Sequence, residues 1–226
     1  MKCILIGGSG QVGGAVARAL IGSDACHGLT MIGRRKVAEF ENMPKVTQVV
    51  ADTVAPGFED AVKSAAIGHD VAISCLGIGS GTNRMTEAEM MAVEVTLAGQ
   101  FARGAKAAGI ENFLLLTAVG VSEESATSRV RYLRVLGKKL ITVRDAGFAR
   151  LAVFKPGMIV GNAHTPKWMT VFTALIPDAT GWGNISQKDL AQSFAAHLET
   201  KLATQTDPVV YYGNKEMKQL VANAVM

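Results

Sequence analysis

The chain has 226 residues, of which 49% are hydrophobic and 6% aromatic, and it carries a net charge of +4. That length builds one sizeable core but not two comfortable domains. The composition excludes a disordered chain. No apolar run approaches the ~20 residues a membrane span needs. The modest positive charge suits an anionic ligand without calling for nucleic acid. Cys3, Cys26 and Cys75 follow neither metal nor disulfide spacing. Cys3 and Cys75 stand in apolar runs and read as buried thiols of a reducing compartment. The opening MKCILIGGSG is interrupted by glycines before a signal-peptide core could form. The expectation is a cytoplasmic protein without a metal site.

Short apolar runs alternate with helical periodicity along the chain. Strands are expected at 2–7, 29–33, 46–51, 70–77, 111–117, 151–157 and 208–213. Helices are expected at 11–22, 58–66, 86–108, 129–146, 167–176 and 186–203, with a last one at the C-terminus. Thr86-x-x-Glu89 forms a capping box at the head of the longest helix. This alternation predicts right-handed βαβ units and a parallel sheet covered on both faces, an α/β fold. No linker divides residues 1–226, which read as a single domain.

The first strand runs into GGSGQVGG at 7–14, so Gly7-x-x-Gly10-x-x-Gly13 lies between a strand and a helix. In that context one glycine makes a tight turn and another admits a pyrophosphate to the backbone. A third lets the helix pack close, and the helix N-terminus supplies amide donors. NAD sites place a carboxylate after the second strand, to hold the ribose 2′-hydroxyl. This chain has Gly33-Arg34-Arg35-Lys36 there instead. Two guanidiniums suit a dianionic 2′-phosphate and stack on adenine, so NADP(H) is the expected cofactor. Asp52, after the third strand, either accepts from the adenine amino group or caps its own loop. Gly77, after the fourth, lets the backbone pass the ribose and nicotinamide side.

The glycine loop, IGRRK (32–36), GHDVAISCLG (68–77), the Tyr132 helix and FKPGMIVG (154–161) occur in this order over essentially the whole chain. Together they resemble an atypical short-chain dehydrogenase/reductase, within it the branch of the HIV Tat-interacting protein. The resemblance implies a Rossmann-like, doubly wound sheet with NADPH bound and a small C-terminal substrate region, here 157–226. It places Ser9, Gly10, Gln11 and Val12 at the phosphates and Arg34 and Arg35 at the 2′-phosphate. Asp52 and Thr53 then fall near adenine, Leu76 and Gly77 along the ribose. Tyr132 falls at the catalytic tyrosine and Thr117 at the residue that polarises a carbonyl.

Two positions depart from the family pattern. Ala118 stands where relatives have serine, and Leu136 replaces the lysine of Tyr-x-x-x-Lys. That lysine lowers the tyrosine pKa and holds the nicotinamide ribose. Lys138 points away from Tyr132, while Lys139 shares its face but lies about 10 Å along the axis, against about 6 Å for i+4. The lysine therefore reads as lost, and the tyrosine as titrating near its ordinary value of about 10. Two functions stay open: an oxidoreductase on a small carbonyl or enone with a weakened proton relay, or an NADP(H)-binding regulatory protein acting through protein partners.

Arg129, Arg131, Arg134, Lys138, Lys139 and Arg144 crowd the Tyr132 helix. They read as a solvated face or a homodimer interface before they read as a site for an anionic partner. His164, Trp168, Met169 and Trp182 fall in the substrate-side region, each more simply a packing residue than a catalytic one.

Overall fold

The computed structural model describes residues 1–79, 84–161 and 182–224. The helix expected at 167–176, with His164, Trp168 and Met169, lies outside them. Seven strands form one sheet: β1 (Lys2–Ile6), β2 (Gly28–Gly33), β3 (Val46–Val50), β4 (Val71–Ser74), β5 (Asn112–Leu116), β6 (Arg150–Phe154) and β9 (Val209–Tyr212). Their order is β3-β2-β1-β4-β5-β6-β9, and every neighbouring pair is parallel. A short second sheet pairs β7 (Met158–Val160) with β8 (Asn184–Ser186).

Helices cover both faces. On one lie α1 (Gln11–Gly22), α6 (Gln187–Thr200) and α7 (Asn214–Ala224), contributing Leu20, Phe194 and Met217 to the core. On the other lie α2 (Phe58–Ala66), α4 (Ala98–Ala107) and α5 (Arg131–Arg144), with Val62, Phe101 and Leu140. Covering both faces explains why β4 is buried at every residue rather than at alternate ones. The strand order reverses between β1 and β4, so their C-terminal ends open a crevice at that point.

Several elements differ from the periodicity, among them the strand expected at 70–77, which stops at Ser74. The strand expected at 151–157 stops at Phe154. Pro156 has no amide to give a ladder, and the Gly157 amide donates instead to Asn214 Oδ1 at 3.0 Å. The long helix expected at 86–108 is α3 (Glu87–Met91), a π-helical turn (Ala92–Leu97) and α4 in unbroken succession. Thr86 closes the expected capping box, accepting from the Glu89 amide and donating its own amide to the Glu89 carboxylate.

Phe154 stacks on Phe194 at 3.9 Å, and the His197 ring meets Phe154 edge-on. His197 is fully buried with Nδ1 3.1 Å from the Tyr212 hydroxyl. Burial, with Lys201 adding to it, pushes the His197 imidazole from 6.5 down to about 4. A depressed folded-state value means stability present above the unfolded value and lost as pH falls through the folded one. Stability should therefore drop by about 3 kcal/mol between pH 6.5 and 4 through this group. Urea denaturation across that range, with His197→Gln flattening the dependence, checks it.

Candidate active site

The crevice begins at the glycine turn. Gly7 has a φ of +88, and a Cβ on it would sit 2.6 Å from the Cys75 carbonyl carbon. A Cβ on Gly13 would sit 2.1 Å from the Gly7 carbonyl oxygen. Only bare backbone allows α1 to start this close to β1 and β4. The Gly10 amide donates to the Gly7 oxygen at 3.0 Å and closes the turn. Gly10 caps α1 without any side-chain bond, and the first turn carries no acidic residue. The leading amides of α1 and its dipole are thus presented to an anion without competition.

A cavity of about 300 Å³ runs from this turn along the ends of β2 and β4. Ser9, Gly10, Arg34, Arg35, Thr53, Leu76 and Gly77 line it. Both guanidiniums are exposed, and neither has an ion-pair partner among the described residues. Asp52 does what the second of its readings allows: Oδ1 accepts from the Val54 amide at 3.0 Å, capping its loop. Its neighbours Thr53 and Val54, not Asp52, line the cavity.

A second cavity, of about 370 Å³, adjoins the first across Gly10, Cys75, Leu76 and Gly77. Gln11, Val12 and Gly13 line this one rather than the first, so the glycine turn serves both. Thr117, Tyr132 and Leu136 come together here with Glu94 and Lys139. Thr117 Oγ1 is buried without a hydrogen-bond partner among the described residues. A buried hydroxyl left unmatched beside a cavity fits an oxygen-bearing ligand. The glycine cradle, the unpaired guanidiniums and this hydroxyl fit a dinucleotide with a substrate beyond it.

The largest departure from the sequence reading is Lys139. It is 1% exposed, and its Nζ donates to the Leu76 carbonyl at 2.7 Å and to Glu94 Oε2 at 2.9 Å. The other Glu94 oxygen accepts from the Ile78 amide at 3.0 Å. Axial distance alone had argued against this lysine. A four-carbon stem lets the ammonium reach Leu76 and Glu94, and Lys139 stands with Leu136 in the wall of the second cavity. Glu94 escaped the sequence reading because it sits in a π-helical turn, whose phase ordinary helical periodicity does not describe. That turn faces both cavities, with Ala92, Val93 and Leu97 on the first and Glu94 on the second.

The tyrosine also departs from expectation. Tyr132 keeps 37% of its surface open. Burial of the rest, joined by the Glu94 carboxylate, pushes its phenol from 10 up to about 12. The thiol of Cys75, between the cavities, is likewise pushed up to about 12 by burial and is inert as a nucleophile at neutral pH. The basic helix is in part answered from within. Arg134 makes a bidentate pair with Glu87, and Arg144 pairs with Glu123 and Asp145. Trp182, 55% exposed, lies over Gly120, where a Cβ would come within 3.3 Å of its ring.

A parallel sheet with a glycine turn and a cleft at its switch point defines a Rossmann-type dinucleotide-binding protein. A family model described as NAD(P)H-binding matches residues 7–149, more than half of the chain, and the protein belongs to that family. It is 29% identical to the HTATIP2 protein of Rattus norvegicus over 233 residues, covering 98% of this chain and 86% of that one. It is 25% identical to the mitochondrial FMP52 protein of Debaryomyces hansenii, covering 98% of each. Cytoplasmic residence therefore finds no support in that relative, whose name places it in mitochondria. No helix among the described residues is long and apolar enough to cross a membrane. Among solved structures, the oxidoreductase ylbE of Lactococcus lactis superposes with a TM-score of 0.72 at 15% identity, covering 100% of this chain and 97% of that one. This likeness is one of fold.

Replacing one partner of a buried ion pair leaves the other uncompensated, at a cost of about 3–5 kcal/mol. Glu94→Leu and Lys139→Met should each lose about that much stability, and the double variant much less than the sum. Chemical denaturation of the four proteins measures the coupling.

Proposed function

We propose that this protein is an NADP(H)-dependent oxidoreductase of the short-chain type, acting on a small carbonyl or enone at the Tyr132 cavity. The observation that carries the reading is the joined pair of cavities. One has two unpaired arginines beside the glycine turn, and the other has a tyrosine and an unmatched threonine hydroxyl. Ser9, Gly10, Gln11, Val12 and the α1 amides would hold the phosphates. Arg34 and Arg35 would hold the 2′-phosphate, with Thr53, Leu76 and Gly77 along the adenosine and ribose.

When bound, the nicotinamide supplies the hydride to substrate carbon. The chain's own residues manage the oxygen. Thr117 Oγ1 donates to it and polarises the carbonyl, and Tyr132 Oη gives up its proton as negative charge develops there. A phenol held at about 12 is a reluctant acid at neutral pH. Leu136 in place of the lysine of Tyr-x-x-x-Lys favours a second reading, in which the protein binds NADP(H) and signals through partner proteins with little turnover.

Cofactor choice is read by titrating NADPH and NADH separately. Arg34→Ala with Arg35→Ala should weaken NADPH binding by about tenfold or more, the loss of charge-assisted bonds. NADH binding should be nearly unchanged. Wild-type preference for NADH, or indifference to the arginines, sinks the 2′-phosphate assignment. Turnover is read from NADPH consumption over a carbonyl and enone panel. Activity that Tyr132→Phe abolishes supports the enzyme, and none across the panel supports the second reading.

A further inference from the structure

Leu136 occupies the i+4 position, yet the cavity does contain a lysine. Lys139 and Glu94 are both essentially excluded from solvent and lie at the cavity edge rather than in mid-core. Their contacts join three pieces of chain: α5, the π-helical turn, and the loop after β4 through Leu76 and Ile78. Leu76 lines both cavities, so the pair secures the partition between them. An ammonium has three N–H groups, and two of those on Lys139 are committed to Leu76 and Glu94. As a device for stability alone the pair is a poor one, since apolar side chains of similar volume do as well or better in such places. A π-helical turn, which interrupts regular helix bonding, is itself frequent at functional sites.

We propose that Lys139 is the positioning cation of the catalytic cavity, reaching it from seven residues beyond Tyr132, with Glu94 as its fixed counter-charge. The two act as a unit that holds the Leu76–Ile78 loop and offers one ammonium N–H to an oxygen-rich ligand such as a ribose diol. The identity of that ligand rests on the cofactor reading above; the charge unit itself does not. Leu136 is then the consequence of an ammonium already supplied from elsewhere, since a second one would exceed the single carboxylate.

The experiment measures NADPH affinity in the wild type, Lys139→Met, Lys139→Met with Leu136→Lys, Leu136→Lys alone, and the charge-free Lys139→Met with Glu94→Gln. Circular dichroism establishes that each is folded. Lys139→Met should weaken NADPH binding by about tenfold or more, and Leu136→Lys in that background should recover most of the loss. Leu136→Lys alone should weaken binding. The charge-free variant should fold where a single variant does not, yet still bind weakly. A second readout needs no cofactor: ultraviolet titration of the Tyr132 phenol, with Tyr132→Phe as blank. Glu94→Gln should bring that phenol down from about 12 toward 10. Folded Lys139→Met or charge-free protein that binds NADPH like wild type overturns the proposal. So does a loss that Leu136→Lys cannot recover, or a phenol titration that Glu94→Gln leaves unmoved. Wild-type protein that binds no NADPH defeats the cofactor reading instead, and the phenol titration then decides the charge unit.

Discussion

The constraint on which this structure depends is the contact between Gly13 and the Gly7 carbonyl. A Cβ on Gly13 would lie inside the van der Waals shell of that oxygen. Because it is absent, α1 starts close against the ends of β1 and β4, and its leading amides face the crevice. Everything downstream inherits that placement. The cavity along β2, the partition at Leu76 and Gly77, and the second cavity below Tyr132 are all measured from one turn of backbone.

A second constraint is electrostatic. Helix α5, the π-helical turn and the loop after β4 meet over one buried positive and one buried negative charge. Neither charge is solvated, so their mutual geometry is fixed by hydrogen bonds rather than by water. The tyrosine beside them feels the carboxylate, and its proton is held more tightly than in solution. The hold on the Tyr132 proton therefore comes from burial and from a residue that no local motif around Tyr132 contains.

Much of the architecture was legible because parallel strands buried on both faces are written as unbroken apolar runs. The glycine spacing and the IGRRK turn lie in contiguous sequence, and both open on the first cavity. What could not be read were relations between distant segments. Glu94 and Lys139 are 45 residues apart, and nothing in either local pattern announces the other. The bond from Asp52 to the Val54 amide is likewise one that spacing alone does not locate. The expectation of an ordinary tyrosine failed because phenol acidity is set by burial and by that same remote carboxylate. The sixth strand was overextended because Pro156 terminates a ladder that hydropathy alone continues.

The π-helical turn carries a further meaning. A regular helix repeats its facing every 3.6 residues, so one that presents apolar side chains toward one cavity keeps presenting them there. The insertion of a wider turn shifts the phase once, and a single continuous rod then addresses two chambers with different chemistry, methyl groups to one and a carboxylate to the other. In this chain helical phase is a variable of the site. A one-residue deletion within 92–97 that regularised the rod would turn Glu94 away by roughly 100°. The change would barely register in composition or hydropathy, and it would leave the buried ammonium of Lys139 without its counter-charge.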